Sequence, residues 1–232
     1  MIKQNNNIKN KAMRTLILVI ATAAFVYINH AHGQDFKATL EKTFTAFDTT
    51  HDPQKQVEQS NKLSLIAKKW NNEAMAHYYA SLSKVILSYT NGLDAAKRDA
   101  YLDDADKEYD DMMSNMGNKP TDETYVLAAF IANARLGVDG ANRWQKYGKI
   151  FNENLEKAKE LNPDNPRIYY LQGTSKRFTP KMFGGGKKAA LPYFEKAEGL
   201  FAKESGDDIL KPSWGKRTNT YFLNDCKGED KD

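Results

Sequence analysis

Cysteine is almost absent. Cys226 stands alone among 232 residues, so no disulfide can form within the chain and no cysteine-based zinc site can be assembled. Histidine is nearly as scarce: His30 and His32 lie in the leader described below, leaving His51 and His77. Residues 34–232 hold only four valines and six isoleucines, too few to line a parallel sheet. A surplus of one charge is missing as well. Lys3, Lys9, Lys11 and Arg14 are the only charged side chains before Gln34, and from there onward thirty basic residues meet thirty acidic ones. No net basic field remains to attract phosphates, which excludes nucleic acid as an electrostatic partner.

Long apolar runs are also lacking. The longest, Thr15 to Ile28 (TLILVIATAAFVYI), has 14 residues. As a helix it spans about 21 Å, short of the roughly 30 Å hydrocarbon core of a bilayer. A basic start, a short apolar stretch and small residues at Ala31 and Gly33 read as a signal peptide over 1–33, cut before Gln34. An uncleaved membrane anchor or a buried helix is the alternative. No cysteine stands at the cut, so lipoprotein attachment is excluded. The sequence therefore predicts an exported protein, periplasmic or extracellular, with no stable membrane insertion after cleavage.

What is present is helical periodicity. Met75, Tyr79, Leu82, Ile86 and Tyr89 step by four, three, four and three, and Leu102, Ala105, Tyr109, Met112 and Met116 mark a second apolar face. Trp144, Tyr147, Phe151, Leu155 and Ala158 form another, as do Ala190, Phe194, Ala197 and Phe201. Asp52-Pro53 and Asn165-Pro166 read as caps followed by proline at the first helical position. Pro192 alone among the prolines falls inside a helical stripe, where it should kink the helix. The pattern predicts helices near 36–49, 53–70, 73–90, 94–116, 121–136, 141–161, 166–178 and 187–204, with a shorter one over 213–225. Short connectors make neighbours antiparallel, so the fold class is all-α, about four stacked hairpins over 34–210 and a C-terminal helix and polar tail over 211–232.

The stretch 165–201 carries the strongest internal signal. Gly173 follows Tyr169, Tyr170 and Leu171 on a first helix, and Ala190, Phe194 and Ala197 follow on a second. This resembles a tetratricopeptide repeat, in which a small residue lets two helices approach and alanines with an aromatic fill the groove against the next hairpin. Ala67, Met112, Ala158 and Ala197 are the matching second-helix positions, 45, 46 and 39 residues apart where a standard unit has about 34. Asn165-Pro166-Arg167, Tyr170-Leu171, Gly173, Thr179-Pro180, Phe183-Gly184-Gly185-Gly186-Lys187, Phe194-Glu195-Lys196-Ala197 and Trp214-Gly215 together look like a family of exported tetratricopeptide-like proteins of Bacteroidota. The resemblance implies fold and compartment; the hairpin repeat, the balanced charge and the lack of a catalytic or metal signature together predict an interaction module without catalytic activity. Transferring the register of the tetratricopeptide resemblance puts Lys42, His77, Lys84, Tyr125, Asn133, Arg167, Tyr170 and Arg177 on a groove lined by the first helix of each hairpin, where an unknown protein or peptide would bind. A self-associating envelope scaffold is the alternative, and a carboxylate-based hydrolase a remote one.

Other motifs fail on inspection. Gly184-Gly185-Gly186-Lys187-Lys188 lacks the first glycine, the final Ser or Thr and the preceding strand of a phosphate-binding loop. It reads instead as an inter-helix loop, with Phe183 docking it on its hairpin. The acidic run from Asp103 to Asp111 lacks the glycine of a calcium loop and lies within a helical stripe, which makes it a solvated face. His77 reads as a packing histidine, and Cys226 as an inert, half-buried thiol. No metal, cofactor or catalytic residue is predicted.

Overall fold

A computed structural model describes residues 33–206 and 208–228; the leader and the cut before Gln34 fall outside or at the edge of them. Among the described residues there are nine α-helices and no strand. Helix α1 covers 33–49. It is followed by α2 (Pro53–Lys69), α3 (Ala74–Leu87), α4 (Ala95–Asn115), α5 (Asp122–Val138), α6 (Gly140–Leu161), α7 (Pro166–Phe178), α8 (Lys187–Phe201) and α9 (Lys216–Lys227). The starts follow local chemistry. Asp52 accepts from the amides of Gln54 and Lys55, and Asn165 from that of Arg167, each ahead of a first-turn proline, so otherwise orphaned N–H groups are satisfied. Thr121 and Thr124 form a reciprocal capping box at α5.

Consecutive helices pack as hairpins, α3 on α4, α5 on α6 and α7 on α8. Alternate helices also meet, α3 with α5 and α5 with α7, so α3, α5 and α7 share one wall. Helix α1 extends it, with the Phe44 ring tilted against Tyr79 of α3, centroids 4.4 Å apart. The four second-helix positions, Ala67, Met112, Ala158 and Ala197, are all buried. Gly173 sets the α7–α8 approach: a Cβ there would lie 2.7 Å from the Phe194 ring. No described helix is long and apolar enough to cross a membrane.

Three expectations need correction. The last helix starts at Lys216 instead of 213, because Gly215 takes a left-handed φ of 99° that side-chain-bearing residues avoid; this keeps Trp214 out of the helix. Phe183 does not dock its loop and is 71% exposed. The loop is closed by its own backbone instead: Gly185 N–H donates to the Pro180 carbonyl and Gly186 N–H to that of Lys176. Gly185 is forced there, since a Cβ would lie 2.0 Å from the Thr179 carbonyl oxygen. The acidic run of α4 is not merely solvated. Asp99, Asp103 and Asp106 share one helical face, and Arg135 of α5 reaches them at 3.2, 2.6 and 2.6 Å, with Arg143 of α6 also on Asp99 at 2.7 Å.

Candidate functional site

The wall of α1, α3, α5 and α7 is covered by the chain's own residues 208–215. Asp208 pairs with Lys37 of α1 at 2.9 Å, and Arg217, just beyond the segment, pairs with Asp48 at the other end of α1. Between these anchors Ile209 and Trp214 are buried. The Trp214 indole stacks on Phe130 of α5 at 5.3 Å and 11°, and meets Tyr170 of α7 edge-on at 6.1 Å. Its N–H donates to the Tyr78 hydroxyl of α3 at 2.7 Å. One side chain thus touches three successive first helices.

A charge network lies beneath it. Arg167 of α7 is 1% exposed. Its guanidinium donates to Glu123 of α5 at 3.0 Å, bidentately to Glu204 at 2.8 and 3.1 Å, and to the Pro212 carbonyl of the covering segment. Burial alone would weaken its hold on the proton, but Glu123 and Glu204 outweigh that and raise its pKa. Burial pushes the Glu123 carboxyl above its ordinary range, and Arg167 pulls it part of the way back. Tyr78 donates to the other Glu123 oxygen at 3.0 Å, and burial first, then Glu123, holds its phenol far from ionising. Every partner in this network is internal, which gives it the character of a clamp.

The residues that sequence reasoning gathered into one groove are dispersed. Arg167 and Tyr170 come together, but under Trp214. His77 is buried, with Nδ1 2.6 Å from Glu108 of α4 and Nε2 3.1 Å from the Asn71 carbonyl. Lys84 is buried and donates to Asn61 of α2 at 3.4 Å. Tyr125 is half-buried beneath Lys157 of α6, and Asn133 donates to Tyr89 at 3.2 Å. Lys42 is exposed on α1. Arg177 lies at the far end of α7, paired with Asp225 of α9 at 2.8 Å. Sequence reasoning missed Trp214, Tyr78, Phe130, Glu123 and Glu204. The Trp214-Gly215 pair was the available signal, but no repeat register carries a C-terminal segment back across the wall.

Metal-ligating atoms of His77, Glu108 and Asp111 come within 4.8 Å of one another. With Nε2 donating to Asn71, the imidazole Nδ1 and the Glu108 oxygen can stand 2.6 Å apart only with a proton between them. That separation is also shorter than two donors of about 2.1 Å bond length keep around one ion. The trio is therefore a proton-held latch between α3 and α4. A cleft of about 250 Å³ beside Glu123, Asn162, Asp164, Asn165, Lys203 and Glu204 is smaller than the roughly 300–1,000 Å³ that bury a drug-sized ligand.

No protein-family model matches the chain, and no curated protein sequence does. Among solved structures, the HusA haemophore from Porphyromonas gingivalis superimposes with a TM-score of 0.70 at 30% sequence identity, covering 85% of this chain and 95% of HusA. This chain belongs to HusA's family. What stands of the tetratricopeptide resemblance is its architecture of paired helices, which this chain shares with an all-helical protein of a Bacteroidota species.

Proposed function

We propose that this protein is an exported carrier of haem or a closely related porphyrin, a binding protein without catalysis. The observation that carries the reading is the likeness to HusA over nearly its whole length; HusA is a haemophore, and a haemophore's task is to hold haem outside the cell. The signal-like residues 1–33 support export. The polar chemistry of the interior supports binding over catalysis: both ring nitrogens of His77 are engaged, and Arg167, Glu123 and Glu204 bond one another. A protein or peptide partner on the wall of α3, α5 and α7 would first have to displace residues 208–215.

The test is gel filtration of the chain from Gln34 onward, mixed with excess haemin and followed at the protein and Soret wavelengths. Stoichiometric co-elution is expected. Elution of all haemin in the small-molecule fraction would remove the carrier reading. Export is checked by fractionating producing cells and sequencing the N-terminus of the released chain, which should begin at Gln34.

A further inference from the structure

Residues 208–215 occupy the inner wall, so exposed apolar side chains away from it are the place to look for a ligand. The greatest concentration of exposed apolar side chains is at the far end of the last hairpins. Phe178 at the end of α7 is 65% exposed, Met182 83% and Phe183 71% on the loop after it, and Tyr221 66% on α9. Phe178 meets Phe222 edge-on at 5.7 Å, and Phe222 meets Tyr221 at 5.4 Å. These rings form a continuous strip, footed by the stacking of Phe222 on buried Phe194 at 5.6 Å. The hydrogen bonds that curl Gly185 and Gly186 back on Pro180 and Lys176 keep Met182 and Phe183 beside the end of α7. Isolated exposed apolar residues are ordinary, but a contiguous group of this kind marks a binding surface.

The segment that carries most of the strip is rich in cations. Residues 168–194 contain Lys176, Arg177, Lys181, Lys187 and Lys188 and no acidic side chain. Among the described residues, Asp225 of α9 pairs with Arg177 at 2.8 Å and Lys187 at 3.2 Å, and Glu198 of α8 accepts from Thr220, the neighbour of Tyr221. A chain of balanced charge thus gathers a local cationic excess around its exposed rings.

We infer that this strip, Phe178, Met182, Phe183 and Tyr221 with the surrounding lysines and Arg177, is the site that takes the porphyrin. The inference rests on the carrier reading above. Flat aromatic faces and a thioether suit an apolar macrocycle, and cations at the rim suit its two carboxylates.

Haemin titration of the chain from Gln34 onward, read by Soret absorbance, tests the site. The strip variants are Met182→Ser/Phe183→Ser and Lys176→Glu/Lys188→Glu. The control is Leu65→Ser/Trp144→Ser, which removes exposed apolar groups elsewhere. Circular dichroism at 222 nm confirms that each variant folds. Each strip pair should weaken haemin about tenfold or more while the control stays within about twofold of wild type. Wild-type binding left unchanged by both strip pairs would overturn this site and leave the carrier reading intact. No binding by wild type would remove both. A wild-type dimer that the strip variants convert to monomer at unchanged haemin affinity would make the strip an interface between copies and overturn the assignment.

Discussion

The indole N–H of Trp214 donates to the hydroxyl of Tyr78 at 2.7 Å, although 136 residues of chain separate them. In a stack of hairpins nearly every contact is to the next unit, so the ends usually behave independently. Here residues 208–215 run back across the stack and tie its first-helix wall together. Tyr78 relays the tie to Glu123, and Glu123 to Arg167. The hairpins should therefore unfold as one unit.

Trp214→Ala removes the stack on Phe130 and the donor to Tyr78 together. It should cost about 3–5 kcal/mol, as large aromatic truncations in cores do. Trp214→Phe keeps a ring against Phe130 and should cost less. Urea unfolding followed by circular dichroism measures both. A Trp214→Ala loss under about 1 kcal/mol would mean that the segment merely rests on the wall.

Arg167→Met leaves Glu123 and Glu204 facing one another without their cation. Removing one partner of a buried pair typically costs about 3–5 kcal/mol. Glu123 is raised already by burial, and without Arg167 it should rise further. The variant's deficit should then be smallest in acid, where Glu123 is neutral in both folded and unfolded chains, and grow as pH climbs through the ordinary carboxylate range. Denaturant midpoints of wild type and variant across pH measure this; a deficit independent of pH would show that the loss is packing alone.

The helices were legible because each is written locally. Apolar steps of three and four mark α3, α4 and α6, and Asp52-Pro53 and Asn165-Pro166 mark two starts. Gly173 and Phe194, by their spacing, mark the close approach of α7 and α8. The groove was not legible, because a register places side chains on a face without saying what covers that face. Arg167 illustrates this: it falls on the first-helix side as expected, yet its two terminal nitrogens are taken by Glu123 from 44 residues before, Glu204 from 37 after, and the Pro212 carbonyl. The exposure of Phe178, Met182 and Phe183 was equally hidden, since an aromatic in a glycine loop reads as an anchor until coordinates show it facing outward.

Gly173→Ala sets two effects against each other. In an open helix interior alanine is better than glycine by up to about 1 kcal/mol. Here the new methyl would meet Phe194 Cε1 at 2.7 Å and Cδ1 at 2.8 Å, and overpacking of this kind costs about 1–3 kcal/mol. The clash should win, giving a net loss, and Phe194→Leu in the same chain should recover part of it. Thermal melts of the two single variants and the double complete the cycle. A stabilised Gly173→Ala would mean that α7 and α8 separate at no cost.

His77 gives the protein a pH dependence of known sign. Its Nδ1 faces Glu108, with Asp111 also on α4 nearby, while Nε2 faces the Asn71 carbonyl between α2 and α3; Lys107 pairs with Asp111 at 2.8 Å and stands on the solvent side. The hydrogen bond to Glu108 raises the pKa more than burial lowers it, and Asn71 and Asp111 add to the rise. A group whose pKa is raised by folding stabilises the fold fully below its unfolded value of about 6.5 and loses that contribution as pH passes through the folded value. Wild type should therefore exceed His77→Gln in stability by about 1.5–3 kcal/mol at pH near 5.5, and the gap should narrow toward pH 9 as Nδ1 loses the proton it donates. Urea midpoints of both proteins at the two pH values test it. A gap that widens with pH would mean that the neutral ring, and not the imidazolium, holds α3 to α4.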